Sequence, residues 1–71
     1  MKRASVRSTD IVSVGYDSSV AVLEVEFKRG SIYQYVNVPE NVFKELMLAD
    51  SIGSYFNKYI RDKYQNTIVE K

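Results

Sequence analysis

Residues 20–39 read VAVLEVEFKRGSIYQYVNVP, a pattern typical of two β-strands joined by a tight turn. Apolar and polar side chains alternate through its first half, and successive side chains of a strand point to opposite faces of a sheet. One face is apolar and carries Ala21, Leu23, Val25 and Phe27. The other face is charged at its centre and carries Val20, Val22, Glu24, Glu26 and Lys28. The alternation predicts a half-buried strand whose apolar face packs against a core.

The turn KRG determines which way the two tyrosines of the second strand point. A three-residue loop with glycine in the left-handed region at its last position places Tyr33 and Tyr35 on the apolar face. A two-residue loop of Arg29 and Gly30 shifts the register by one residue and places both rings on the charged face. We favour the three-residue loop, because the shorter loop requires a positive φ at Arg29.

Segments on either side of this hairpin predict one more strand and two helices. TDIVSVGYD at residues 9–17 is rich in β-branched residues and ends in turn-forming ones. PENVFKELMLAD at residues 39–50 and SIGSYFNKYIRDKY at residues 51–64 each carry an apolar stripe at helical spacing. Strands followed by helices predict an α+β fold. The expected architecture is a three-stranded antiparallel meander followed by two helices packed on one face (βββαα).

The composition argues against several classes of function. The 71 residues have a net charge of +1, so no strong field steers a polyanion toward the surface as a whole. Cysteine and histidine are absent, which removes the thiol nucleophile, the commonest general base and the commonest transition-metal ligand. No apolar run approaches the roughly 18 residues of a membrane helix, and the start MKRASVRSTD lacks the apolar stretch of a secretory signal. We expect a cytoplasmic domain that is not an enzyme and that uses no cofactor and no metal.

Three segments in this order resemble the KTSC domain family, which is named for a C-terminal extension of some lysyl-tRNA synthetases and also occurs as small stand-alone bacterial and phage proteins. The segments are VGYD at residues 14–17, LEVEF with GSIYQYVNVP at residues 23–39, and ADSIGSYFNKYIRDKY at residues 49–64. Tyr33 and Tyr35 match the central Tyr-x-Tyr motif of the family. The resemblance implies one KTSC-like domain at residues 9–64, between a basic N-terminal arm at 1–8 and a C-terminal tail at 65–71. The end of the tail, NTIVEK, either frays or adds a short edge strand.

Basic residues near aromatic ones are the candidate contacts for a nucleic acid. The candidates are Lys28, Arg29, Tyr33, Tyr35, Lys58 and Arg61. An RNA-binding role has been suggested for the family from its attachment to a tRNA synthetase, and the resemblance implies the same for this chain. The two rings either pack in the core or stack on unpaired bases, and the favoured register, which turns them inward, favours packing. Lys58 and Arg61 also fit a solvated face of a helix. We expect weak binding of tRNA or single-stranded RNA.

A protein-interaction or homodimerisation module, including a phage-encoded one, is the alternative. It would use an exposed apolar face of the sheet formed by Val20, Val22, Ile32 and Val36. Glu24 and Glu26 are interpreted as a solvated pair on this same face rather than as a metal or acid–base site.

Overall fold

A computed structural model describes residues 1–70 and shows two helices packed on one face of a five-stranded antiparallel sheet. The strands lie side by side in chain order. They are β1 (Ala4–Ser5), β2 (Ile11–Asp17), β3 (Val22–Phe27), β4 (Ile32–Tyr35) and β5 (Asn66–Glu70). The helices α1 (Glu40–Leu48) and α2 (Ile52–Tyr59) connect β4 to β5.

The α+β class and the two helices agree with the prediction, but the sheet has five strands and the predicted three-stranded meander is wrong. β1 is only two residues long and pairs with β2, with Ala4 opposite Val14. β5 pairs with β4 along the other edge, and all its residues are exposed. An edge strand that buries no side chain needs no apolar alternation, so neither segment carries the pattern that identifies a strand.

The hairpin between β3 and β4 has the predicted three-residue loop. The backbone N–H of Phe27 donates to the Ser31 carbonyl at 2.9 Å, and Gly30 has a φ of +98°. In this register Val25 lies opposite Tyr33. Both tyrosines of β4 therefore lie on the sheet face that meets the helices.

The core lies between this face and the two helices. Its fully buried members come from strands, helices and the segments that follow them: Ile11, Val14, Leu23, Val25, Val38, Leu46 and Ile60. At the start of α2 the Ser51 side chain accepts from the backbone N–H of Ser54, which caps the helix. No helix within residues 1–70 is long and apolar enough to cross a membrane.

The second helix is shorter than its sequence pattern predicts. It ends at Tyr59, and Ile60 closes it with φ −120° and ψ −47° while remaining fully buried. Residues 61–64 then turn the chain back toward the sheet, where Asn66 pairs with Tyr35. The pairing of β5 with β4 thus overrides the helical pattern of these residues.

The sheet face opposite the helices carries a polar network at its centre. Arg3 Nε donates to Ser13 Oγ at 2.9 Å, and the same guanidinium forms an ion pair with Glu24. Gln34 Nε2 donates to Glu24 Oε1 at 2.8 Å. Glu24 is only 7% exposed, so the interpretation of Glu24 and Glu26 as a solvated pair is wrong for Glu24. The N-terminal segment covers it, which the sequence did not reveal.

Gly15 allows that segment to lie directly on the sheet. A Cβ at this position would be 2.5 Å from the Lys2 carbonyl oxygen and 3.0 Å from Arg3 Cγ. A backbone atom cannot move aside as a flexible side chain can, so the close approach of Lys2 requires glycine here.

Candidate nucleic-acid interface

A cleft opens where the β3–β4 turn, the end of α2 and the start of β5 meet. Its volume is about 370 Å³, within the range of typical small-molecule sites. The lining residues are Asp10, Phe27, Arg29, Tyr33, Tyr35, Asn57, Arg61, Asp62 and Asn66. The fold therefore brings Arg29, Tyr33, Tyr35 and Arg61, out of the predicted contacts, into one site.

Aromatic rings form one wall of the cleft. The ring centroids of Phe27 and Tyr33 are 5.7 Å apart in an edge-to-face contact, and those of Tyr33 and Tyr35 are 6.4 Å apart. Tyr35 is 4% exposed and packs against Phe56 at 5.3 Å. Tyr33 is only half-buried. Tyr35 is therefore a core residue with an edge on the cleft. Tyr33 is the tyrosine whose ring is accessible to a ligand.

Arg29 brings a planar cation to this wall. Its guanidinium carbon lies 4.8 Å from the Phe27 ring centroid and 6.0 Å from the Tyr33 ring centroid. The residue is exposed at the tip of the hairpin, and the positive charge is attracted to the faces of the rings. These contacts hold the guanidinium next to the aromatic surface of the cleft.

Arg61 reaches the cleft from the other side because α2 ends before it. It lies in the turn that follows the helix, and its Nη1 donates to Asn57 Oδ1 at 3.4 Å. Both arginines of the predicted set thus line the same cavity, although they come from separate elements.

Lys28 and Lys58 do not line the cleft. Lys28 is exposed at the hairpin tip, and Lys58 Nζ lies 5.3 Å from the Tyr59 ring centroid on the exposed side of α2. Because Arg61 is in a turn, Lys58 and Arg61 do not share the continuous helix face that the sequence predicts.

The cleft contains charges of both signs. Asp10 and Asp62 line it together with Arg29 and Arg61. Burial raises the pKa of the Tyr35 phenol. The charges of Arg61 and Arg29 lower this pKa, and the charge of Asp62 raises it. No group of three or more His, Cys, Asp or Glu side chains that could hold a metal occurs within residues 1–70.

Two arginines of the basic N-terminal arm, Arg3 and Arg7, lie in different parts of the structure, and only Arg7 is near the cleft. Arg7 lines a second depression of about 320 Å³ at the start of α2, which shares Asp10 and Asn57 with the cleft. Arg3 is instead engaged with Glu24 on the opposite face of the sheet. Arg7 is thus the arginine of the arm that lies near the candidate site.

Sequence reasoning did not identify the polar partners in the cleft: Asp10, Asn57, Asp62 and Asn66. They lie in four places, before β2, in α2, in the turn after α2 and at the start of β5, and they form no motif. Asn57 and Arg61 are four residues apart, and this spacing was the one signal that could have linked them. Asn66 lies in the tail, whose structure the sequence left open.

The chain belongs to the KTSC domain family, whose model matches residues 7–64, and this confirms the resemblance. The crystal structure of a KTSC domain protein from Yersinia pestis has the same fold, with a TM-score of 0.89, 37% identity and 93% of each chain covered. An uncharacterized protein of Stutzerimonas stutzeri is 41% identical over 64 residues, which is 90% of each chain. The names of these small relatives indicate no catalytic function.

Lysine–tRNA ligases contain a similar segment. The ligase of Trichormus variabilis is 44% identical over 50 residues, which cover 70% of this chain and 9% of the ligase. The ligase of Nostoc punctiforme is 38% identical over 55 residues, which cover 78% of this chain and 10% of the ligase. The chain thus spans about a tenth of the length of these relatives.

Proposed function

We propose that this domain is a non-enzymatic module that binds single-stranded RNA, including the unpaired segments of a tRNA, in the cleft between the hairpin tip and the end of α2. One observation carries the proposal: the guanidinium groups of Arg29 and Arg61 line the same cavity as the half-buried ring of Tyr33. Unpaired bases are bound by stacking on aromatic rings and guanidinium planes, with cations nearby for the backbone.

Binding is expected to be weak and only moderately dependent on salt. Stacking on one tyrosine is worth about 1–3 kcal/mol, and one half-buried ring gives one such contact. The net charge of +1 supplies no general attraction for RNA. Two cations, Arg29 and Arg61, line the cleft. The slope of log K against log salt concentration is therefore expected to be no steeper than about −1.4, at about −0.7 for each arginine that contacts a phosphate of a single strand.

The lysine–tRNA ligases among the relatives support RNA as the ligand, since those proteins are named for a reaction on a tRNA. The half-buried Tyr33 belongs to the segment that matches the central motif of the family. A domain that is joined to an enzyme acting on tRNA would supply additional contacts to that substrate.

Fluorescence anisotropy with a labelled single-stranded RNA and with a tRNA, at about 50 mM salt, tests the proposal. Arg29→Ala and Arg61→Ala should each weaken binding several-fold. Lys58→Ala removes a charge of the same sign outside the cleft and serves as the matched control. If neither RNA binds, or if all three variants weaken binding equally, the cleft is not an RNA site.

The alternative of a protein-interaction or dimerisation face has less support. Val22, Ile32 and Val36 are half-buried, and only Val20, at 60% exposure, projects as an apolar side chain from that set. The ion pair of Arg3 and Glu24 lies on the same face of the sheet, so the apolar surface is interrupted. Light scattering at high protein concentration separates the two functions, because a homodimerisation module would show twice the monomer mass.

A further inference from the structure

The cleft presents cations and anions that form no ion pair with one another. Arg29, Arg61, Asp10 and Asp62 all line it, yet none of the three ion pairs found among residues 1–70 joins any two of them. A phosphate group would be attracted by the guanidiniums and repelled by the carboxylates. An occupant that satisfies all four groups must offer donors to the carboxylates and acceptors to the guanidiniums.

The remaining lining residues favour a flat and polar occupant. Asn57 and Asn66 each supply an amide that both donates and accepts. The ring of Tyr33 and the guanidinium of Arg29 supply surfaces for stacking. A nucleobase has this combination of a planar ring and an edge with donors and acceptors.

Guanine is the base whose edges match the charged groups. A guanidinium donates two parallel hydrogen bonds to the O6 and N7 acceptors of guanine. A carboxylate accepts two hydrogen bonds and therefore fits the adjacent N1–H and N2–H₂ donors of the same base. Adenine, cytosine and uracil each lack either the adjacent pair of donors or the adjacent pair of acceptors. Arg61 and Asp62 are consecutive residues, and both line the cleft.

We propose that the cleft is specific for an unpaired guanine, whose N1–H and N2–H₂ donate to the Asp62 carboxylate while O6 and N7 accept from the Arg61 guanidinium. The base stacks on Tyr33 and on the Arg29 guanidinium. This inference rests on the proposed RNA binding and narrows it to one base.

Anisotropy with labelled oligonucleotides that differ only in their central bases tests the choice of guanine. UUGGUU should bind about 5-fold or more tightly than UUAAUU, UUCCUU and UUUUUU, the discrimination expected of one bidentate pair. UUIIUU, in which inosine lacks the N2 amino group, should lose much of this preference. Equal affinity for guanine and inosine would overturn the proposal but leave RNA binding intact, whereas absence of binding to every oligonucleotide would overturn both.

Asp62→Asn separates recognition from a structural role. Loss of the carboxylate should weaken binding of UUGGUU, and it should strengthen binding of UUUUUU because a negative charge near the RNA backbone is removed. Glu40→Gln removes the same charge at an exposed position of α1 that lines neither the cleft nor the second depression, and it should change neither affinity. A preference for guanine that survives Asp62→Asn would overturn the assignment of Asp62.

Guanosine monophosphate as a competitor identifies the source of the base. The proposal expects it to displace UUGGUU while binding more weakly than the oligonucleotide, because it lacks the flanking phosphates and bases. A monophosphate that binds as tightly as UUGGUU would overturn RNA as the source and indicate a free guanine nucleotide.

Discussion

The two faces of the sheet each carry a pair of like residues two positions apart: the tyrosines at 33 and 35 on the helix side, and the glutamates at 24 and 26 on the outer side. Of the two tyrosines, Tyr35 is 4% exposed and Tyr33 is half-buried at the cleft. Of the two glutamates, Glu24 is 7% exposed and Glu26 is half-buried. In each pair one member is buried and the other is more accessible. Whether a residue of this sheet is buried therefore depends on which segment of the chain covers it. Where the covered residue is polar, as Glu24 is, its neighbours must supply hydrogen-bond or ion-pair partners.

The largest difference in the free energy of unfolding between substitutions on the two faces is expected at the buried centre of β3. Leu23 is fully buried against the helix side, so Leu23→Ala should lower the free energy of unfolding by about 2–5 kcal/mol through lost burial and the cavity that remains. Val20→Ala, at a position that is 60% exposed, is the control and should change it little. Urea denaturation measures both, and equal losses would mean that the helix-side face is not the main source of stability.

The next effect is expected where the N-terminal segment meets the outer face. Gly15→Ala should destabilise the protein by about 1–3 kcal/mol, because the new Cβ would overlap the Lys2 carbonyl oxygen. Gly53→Ala is the matched control. Its Cβ would meet only Ser8 Oγ at 3.3 Å, and alanine favours the helix in which it lies. Denaturation curves that rank the two variants in the reverse order would contradict the close approach of Lys2 to the sheet.

A smaller effect is expected from the polar network itself. Arg3→Ala should cost about 1–2 kcal/mol, less than loss of a fully buried pair, because the Arg3 side chain is 26% exposed. In a double-mutant cycle, Arg3→Ala should cost much less when Glu24 is already glutamine. Lys44→Ala breaks an exposed pair with Glu40 at 3.9 Å and should have little effect. Additive losses for Arg3 and Glu24 would show that the two side chains are not coupled.

The smallest of these effects is a dependence of stability on pH that arises on the outer face. Burial alone would raise the pKa of Glu24, but hydrogen bonds from Gln34 and Arg3 and the charge of Arg3 outweigh it and hold the pKa below its usual value. A lowered carboxyl pKa contributes stability above the unfolded pKa of about 4.3, and this contribution is lost as pH falls through the folded value. Urea unfolding at about pH 7 and about pH 3 should therefore show a smaller difference for Glu24→Gln than for the unaltered protein. An unchanged difference would exclude Glu24 as a source of the acid sensitivity.

The sequence predicts the centre of the molecule better than its edges. The position of Gly30 after Arg29 was sufficient to choose the hairpin register and hence the inward direction of Tyr33 and Tyr35. β1 was missed as a strand, and an edge strand at β5 was only one of two alternatives, because neither segment buries a side chain. For the same reason no pattern in the sequence indicated that the segment around Arg3 covers Glu24.

The candidate site shows the same division. Arg29, Arg61 and Tyr33 were identifiable because basic residues lie near an aromatic motif. Asp10 and Asp62 were not, since their relation to the arginines depends on where α2 ends and on the pairing of β5. Backbone pairing between distant segments created this charge arrangement, and local patterns do not report such pairing.

The chain enters and leaves the sheet at opposite corners. β1 runs antiparallel to β2, so the residues before it lie over Gly15, away from the hairpin tip. β5 finishes with Glu70 opposite Ile32, next to the turn that carries Arg29. A fluorophore, an affinity tag or a larger fusion partner tethered ahead of Met1 would therefore leave the mouth of the cleft open. The same group attached after β5 would start at the rim of the cleft. There it would either block the binding of a ligand or hold a tethered ligand close to the cleft.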